Sequence, residues 1–154
     1  LFYVVGGMVV ESYYRELMKS VNDSSYSVKI IFTGSIQNTA AILKKIDIML
    51  HTMPYESFGR VFLEAMAAKV PVIAYNSGGA KDIVKHGETG LLIESRDNEA
   101  MANAVMTLAD DIDLRRQMGE AGRRRVENHF TIEKHCEAVD DVYQDLLNGN
   151  LITT

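Results

Sequence analysis

An α/β fold on a parallel sheet is predicted by three observations. Short apolar segments alternate with longer amphipathic ones along the 154 residues. The apolar segments are mostly continuous rather than alternating, as in parallel strands covered on both faces. Glycines follow several of them, at Gly6-Gly7, Gly34 and Gly78-Gly79, where strand gives way to turn. Strand–helix alternation at this spacing calls for a parallel sheet with right-handed crossovers.

The elements follow in order. The unbroken apolar run Leu1-Phe2-Tyr3-Val4-Val5 reads as the first strand, with further strands at 28–33, 46–51, 70–75 and 89–93. Helices are expected between them at 9–21, 39–45, 59–69 and 80–85. After the last strand the chain turns all-helical, with segments at about 98–109, 113–129 and 132–148. One domain is expected over 1–149, and 150–154 reads as a frayed tail.

Composition removes several function classes. With 47% apolar and 24% charged residues, neither wholesale disorder nor a collagen-like chain is compatible. No apolar run approaches the roughly 20 residues of a membrane helix. A single cysteine excludes an internal disulfide framework and a cysteine-based zinc site, and fits a reducing compartment. The net charge of −5, from 16 Lys+Arg against 21 Asp+Glu, disfavours nucleic acid as a partner. The chain begins at Leu1, already inside an apolar run, and reads as a piece of something longer.

The most informative segment runs from Pro54 to Ala67, between the third and fourth strands. Glu56 and Glu64 stand 64 − 56 = 8 positions apart, about 80° round from each other and so not in line if one helix held both. Glu56 is therefore expected in the loop and Glu64 about two turns inside the following helix. Gly59 falls near the helix start, where amides without internal partners meet the positive end of the dipole. That arrangement suits a diphosphate. Ionised carboxylates on either side suit sugar hydroxyls, because each accepts O–H donors without competing as a donor. The alternative is plain capping, with Glu56 or Ser57 closing the helix and Glu64 on a solvated face.

This segment resembles the E-x7-E motif of retaining glycosyltransferases with the GT-B fold, most closely glycosyltransferase family four, the group one glycosyltransferases. The resemblance extends through the 46–51 strand, Pro71-Val72-Ile73-Ala74, Gly78-Gly79 with Asp82-Ile83-Val84, and the 87–93 segment GETGLLI. Val5-Gly6, Ile31-Phe32-Thr33-Gly34 and the closing helices around 113–130 add to it, covering residues 1 to about 147 in order. It implies a Rossmann-like parallel sheet with flanking helices, the C-terminal, donor-binding half of a GT-B enzyme. The reaction implied is transfer of a hexosyl-type group from a UDP-, GDP- or ADP-sugar to an acceptor, with retention of anomeric configuration. Alternatives are a GT-B enzyme of another reaction, such as a sugar-nucleotide epimerase or a phosphorylase, or a non-catalytic nucleotide-binding module.

Carried over residue by residue, Glu56 would contact the donor sugar and orient it for catalysis. The backbone of Ser57, Phe58, Gly59, Arg60 and Val61 would contact sugar and phosphate, and Glu64 the ribose. Gly34-Ser35 would meet the nucleobase, and Gly6 would lie near the phosphates. The resemblance implies no cofactor and no metal site. Lys69 stands where the family usually has glycine, and Asp82 where it has glutamate. The family's initial strand, with its Gly-Arg turn and a following Lys, is not found before Leu1, and neither is an N-terminal acceptor domain. That first strand would be central, flanked by 1–5 and 46–51, so the chain alone is expected to be inactive.

Other residues carry weaker signals. Arg60 and Lys81 are secondary phosphate candidates. His51, at a strand end, reads as a core or rim residue more readily than a catalytic one. Cys136 is expected to be buried and inert. The basic run Arg115, Arg116, Arg123, Arg124 and Arg125 lies among acids and reads as a solvated, ion-paired helix. A cytoplasmic location is expected, with weak peripheral contact at the cytoplasmic membrane face as the second reading of that run.

Overall fold

A computed structural model describes residues 1–6, 10–23, 29–94 and 96–149. The order is β1 (Phe2–Val5), α1 (Glu11–Asp23), β2 (Ile30–Gly34), α2 (Thr39–Leu43), β3 (Met49–His51) and α3 (Arg60–Ala67). It continues with β4 (Val72–Tyr75), α4 (Ala80–Ile83), β5 (Gly90–Ile93), α5 (Asn98–Asp110), α6 (Ile112–His129) and α7 (Ile132–Leu147). Every strand pair is parallel, as the continuous apolar runs predict. The expected 46–51 strand is shorter, because only Met49–His51 pairs with β4. The tail 150–154, Gly7 and the beginnings of the expected 9–21 helix and 28–33 strand lie outside the described residues.

The chain forms two compact units, Leu1–Thr39 and Ala40–Thr154. In the first, β1 lies beside β2 with Phe2 opposite Ile30, and the register shifts between Val4 and Val5. Tyr14 of α1 meets Phe32 edge-on at 5.5 Å. Full burial of the first strand, expected from its composition, does not occur: Phe2, Tyr3, Val4 and Val5 are each at least 40% exposed. The two strands and one helix among the described residues of this unit are too few to cover both faces of β1.

In the second unit the order is β3-β4-β5, with β4 central. Side chains alternate across a strand, so Val72 and Ala74 face one way and Ile73 and Tyr75 the other. The first pair joins Phe62, Ala65 and Met66 of α3 with Ala80 and Ile83 of α4. The second joins Met101, Ala104 and Leu108 of α5 with Met118 of α6. All four β4 residues are 5% exposed or less, which explains their apolar run.

Helix ends organise the rest. The C-terminus of α3 closes with the Val70 amide donating to the Ala65 carbonyl at 2.9 Å and the Lys69 amide to Met66 at 3.0 Å. This pairing requires a left-handed residue, and Lys69 supplies it at φ 62°. Glycine at this position would meet no steric penalty, a physical reason for the family's preference. Helix α6 packs against that turn so closely that a Cβ on Gly119 would lie 2.1 Å from the Lys69 carbonyl oxygen.

Three arginines of α6 then donate to the last carbonyls of three other helices. Arg123 reaches Ala67 of α3 at 2.6 Å, and Arg125 reaches Asp82 and Ile83 of α4 at 2.7 and 2.8 Å. Arg115 reaches Leu108 and Ala109 of α5. Terminal carbonyls have no partner within their own helix and carry the negative end of its dipole, so guanidinium donors are favourable there. Three of the five arginines of the basic run are thus structural rather than part of a solvated ion-paired face, because their planar donors go to helix ends; Arg123 also pairs along the helix, with Glu127 at 2.6 Å.

Two stability predictions follow from these contacts. Left-handed backbone costs a side-chain-bearing residue about 1–2 kcal/mol, and branching at Cβ adds to it, so Lys69→Gly is expected to melt several degrees above Lys69→Val. Equal melting temperatures would remove the strain argument. Gly119→Ala is expected to lower the melting temperature despite alanine's better helix propensity, because overpacking against a backbone carbonyl costs about 1–3 kcal/mol. A rise in thermal denaturation would contradict the close approach.

Candidate functional site

Two loops leave the same edge of the second unit's sheet, one after β3 and one after β4. Ligands of open α/β sheets bind at this C-terminal edge. The first loop carries Pro54 to Gly59, and the second carries Ser77 to Gly79. They are joined by two hydrogen bonds: the Gly79 amide donates to the Glu56 carbonyl at 2.8 Å, and the Ser77 side-chain hydroxyl donates to the Pro54 carbonyl at 2.6 Å. A Cβ on Gly78 would lie 2.0 Å from the Glu56 carbonyl oxygen, and one on Gly79 would lie 2.1 Å from that of Phe58. Only glycine fits at either position.

Helix α3 starts without a side-chain cap. Its first flanking residue, Gly59, is left-handed at φ 88° and offers no side-chain oxygen. Neither Glu56 nor Ser57 closes the helix, which removes the capping alternative. The Glu56 Oε1 oxygen instead accepts the Phe58 amide at 3.3 Å. Elsewhere Asp97, Asp111 and Thr131 cap α5, α6 and α7 through their side chains. Among the described residues, nothing accepts a hydrogen bond from the Arg60 and Val61 amides. Those N–H groups, at the positive end of α3, are available to an anion.

The turn is held from beneath by Phe62, which is fully buried. An added Cβ at Gly59 would lie 2.4 Å from the Phe62 ring. The same ring meets His51 edge-on, with centroids 4.9 Å apart and planes at 83°. His51 Nε2 lies 3.6 Å from Glu56 Oε2. Burial pushes the imidazole below its ordinary pKa, and the Glu56 carboxylate partly opposes this.

The expected site residues separate into two groups. Glu56, Ser57, Phe58, Gly59, Arg60, Val61 and Glu64 all lie in the second unit, on the β3–α3 loop and α3. Glu64 is the fifth residue of α3, just over one turn in rather than two; even counted from the expected start at Gly59, five residues make only about one and a half turns. It is partly buried, whereas Ser57, Phe58 and Arg60 are exposed. Gly6, Gly34 and Ser35 lie in the first unit, at and just beyond the ends of β1 and β2, with the Gly6 amide donating to the Gly34 carbonyl at 3.0 Å.

Sequence reasoning missed the joining of the two loops and the support from His51 and Phe62. The doublet Gly78-Gly79 was legible as a turn, but nothing local named its neighbour. Cys136 is exposed rather than buried, because α7 buries none of its residues. Lys81 is exposed on α4.

Residues 1–125 match the family described as glycosyl transferases group 1. The N-acetyl-alpha-D-glucosaminyl L-malate synthase of Bacillus anthracis is 36% identical over 134 residues, covering 87% of this chain and 35% of that protein. A GDP-mannose-dependent alpha-(1-6)-phosphatidylinositol monomannoside mannosyltransferase of Mycobacterium tuberculosis is 37% identical over 132 residues, covering 80% and 34%. The chain therefore spans about a third of the length of these relatives. Among solved structures, HepE of Anabaena in complex with UDP superposes with a TM-score of 0.86, covering 93% of this chain and 40% of that one. At 23% identity that likeness establishes the fold alone, an α/β domain with parallel sheets and flanking helices of the kind found in GT-B glycosyltransferases. The family match across most of the chain, and the shared α/β architecture, place this chain among the glycosyl transferases group 1.

Proposed function

We propose that the chain is the donor-binding domain of a glycosyltransferase that moves a sugar from a nucleotide-sugar to an acceptor with retention at the anomeric carbon. One observation carries the reading: the uncapped start of α3, opened by Gly59, with the Glu56 carboxylate beside it. The Arg60 and Val61 amides bind the diphosphate, supported by the backbone of Ser57, Phe58 and Gly59. Glu56 accepts hydroxyls of the donor sugar, and Glu64 accepts those of the ribose. Gly6 belongs to the phosphate side, and Gly34 with Ser35 to the nucleobase.

Catalysis on this reading is positioning and electrostatics. Departure of a nucleoside diphosphate leaves negative charge on phosphate oxygens, and preorganised amides stabilise that charge as it develops. Glu56 fixes the sugar so that its anomeric carbon is presented to the acceptor. The departing phosphate accepts the proton of the acceptor hydroxyl. An acceptor domain elsewhere in the full-length protein completes the enzyme. Family membership supports this reading, as does the GDP-mannose dependence named for one relative.

Calorimetric titration of the 154-residue chain with UDP, GDP, ADP and their sugars tests the proposal. Preferential binding of one nucleoside diphosphate and its sugar is expected, and no binding across the panel would overturn it. Glu64→Gln replaces a charged acceptor, and hydrogen bonds to charged groups contribute roughly 1.5–3 kcal/mol. Its affinity for the preferred diphosphate should fall about tenfold or more; an unchanged affinity would remove Glu64 from the ribose. Glu56→Ala is expected to leave diphosphate binding intact and to abolish the additional affinity contributed by the sugar. If that sugar increment survives, Glu56 is not its contact.

A further inference from the structure

We propose that His51 is a positioning residue for Glu56, its imidazole Nε2 and the Phe58 amide together fixing the plane of the carboxylate that the donor sugar meets. The inference rests on the donor-site reading of Glu56. A glutamate on a loop has three freely rotating side-chain bonds, and an acceptor for sugar hydroxyls works only if its oxygens are already aimed. Here each oxygen has a neighbour. Oε1 takes the Phe58 amide at 3.3 Å, and Oε2 faces His51 Nε2 at 3.6 Å. A carboxylate oxygen offers two lone pairs, so each retains acceptor capacity for a hydroxyl.

His51 is itself held in place. It is the last residue of β3, opposite Ala74 of the buried central strand. Its ring rests edge-on against Phe62, which is fully buried and also lies beneath Gly59. Strand end, ring pair, glycine turn and carboxylate thus form one packed group. Burial disfavours the charged imidazole, so His51 meets Glu56 near neutral pH chiefly as a neutral ring. With its proton on Nε2 it presents an N–H to the carboxylate without neutralising it. Among the described residues, Glu56 is the charged group in ion-pair contact with His51.

Two variants separate positioning from packing. His51→Phe keeps an aromatic ring against Phe62 and removes the nitrogen; His51→Gln places an amide N–H near the Nε2 position. Affinities of each for UDP, GDP, UDP-glucose and GDP-mannose are compared with those of the unaltered chain by calorimetry. His51→Phe is expected to bind the diphosphate normally and to lose the sugar increment about tenfold, while His51→Gln recovers most of it. Retention of the increment in His51→Phe overturns the proposal, as does equal loss in both variants. The imidazole titration of His51, followed by NMR without any ligand, tests the contact itself. Its midpoint should fall in Glu56→Gln, because the carboxylate that favours the protonated ring is gone. If the unaltered chain binds neither these four probes nor ADP and its sugars, the donor reading fails on its own. The NMR result then decides the contact: a lowered midpoint supports it, and an unmoved one overturns it.

Discussion

Two stretches of backbone, one after β3 and one after β4, lie so close that no side chain fits between them. The Glu56 carbonyl is pinned by the Gly79 amide, and a Cβ on Gly78 would fall within 2.0 Å of the same oxygen. The conformation of the Glu56 loop depends on this contact. The loop in turn sets where α3 begins, because Gly59 must turn left-handed above the Phe62 ring before the helix starts. A glycine pair distant in sequence therefore determines that the first amides of α3 are open and that a carboxylate stands next to them.

The same economy of glycine recurs at the far end of α3. Gly119 and Gly122 let α6 approach the α3 C-terminus, with Gly119 against the Lys69 carbonyl and Gly122 against Met66. From that position α6 supplies guanidinium donors to the last carbonyls of α3, α4 and α5. One helix thus satisfies the orphan acceptors of three, which binds the layers on both faces of β4 to a common element. Three of the arginines that this acidic domain carries on α6 are used in this way. A hollow of about 250 Å³ beside Lys44, Asp47 and Arg116 is also bordered by Lys69 and Arg115. Lys69 pairs with Glu120 at 2.8 Å, and Arg115 is spent on α5.

Much of this fold was legible in the residues. The strands came from continuous apolar runs, and β4, buried on both faces, was the clearest. Helices α5, α6 and α7 emerged within one residue at either end of the helical segments expected at 98–109, 113–129 and 132–148. The segment around Glu56 and Glu64 stood out because its glycine and two carboxylates match the needs of a diphosphate and of hydroxyls. Burial was less legible. Cys136 and the apolar residues of β1 look like core in the sequence, yet exposure depends on which elements pack against them. Val139 and Val142 on α7, 40% and 45% exposed, make the same point.

By itself the sequence determined the α/β class, the order of elements and the identity of the group that presents Glu56 and Glu64. These are properties of local periodicity, of turn residues and of spacing within one segment. Tertiary structure alone decided that Gly78-Gly79 clamps the Glu56 loop, that His51 faces the carboxylate, and that α6 arginines serve other helices' ends. Those contacts join residues 21 to 56 positions apart, except for Arg115, six and seven positions from its α5 partners, and for His51 and Glu56, which are near in sequence but separated by a strand end and a turn. No local pattern encodes the direction of such a pair. It is set by close packing, which fixes where two backbones or two rings can lie only after the whole unit has condensed.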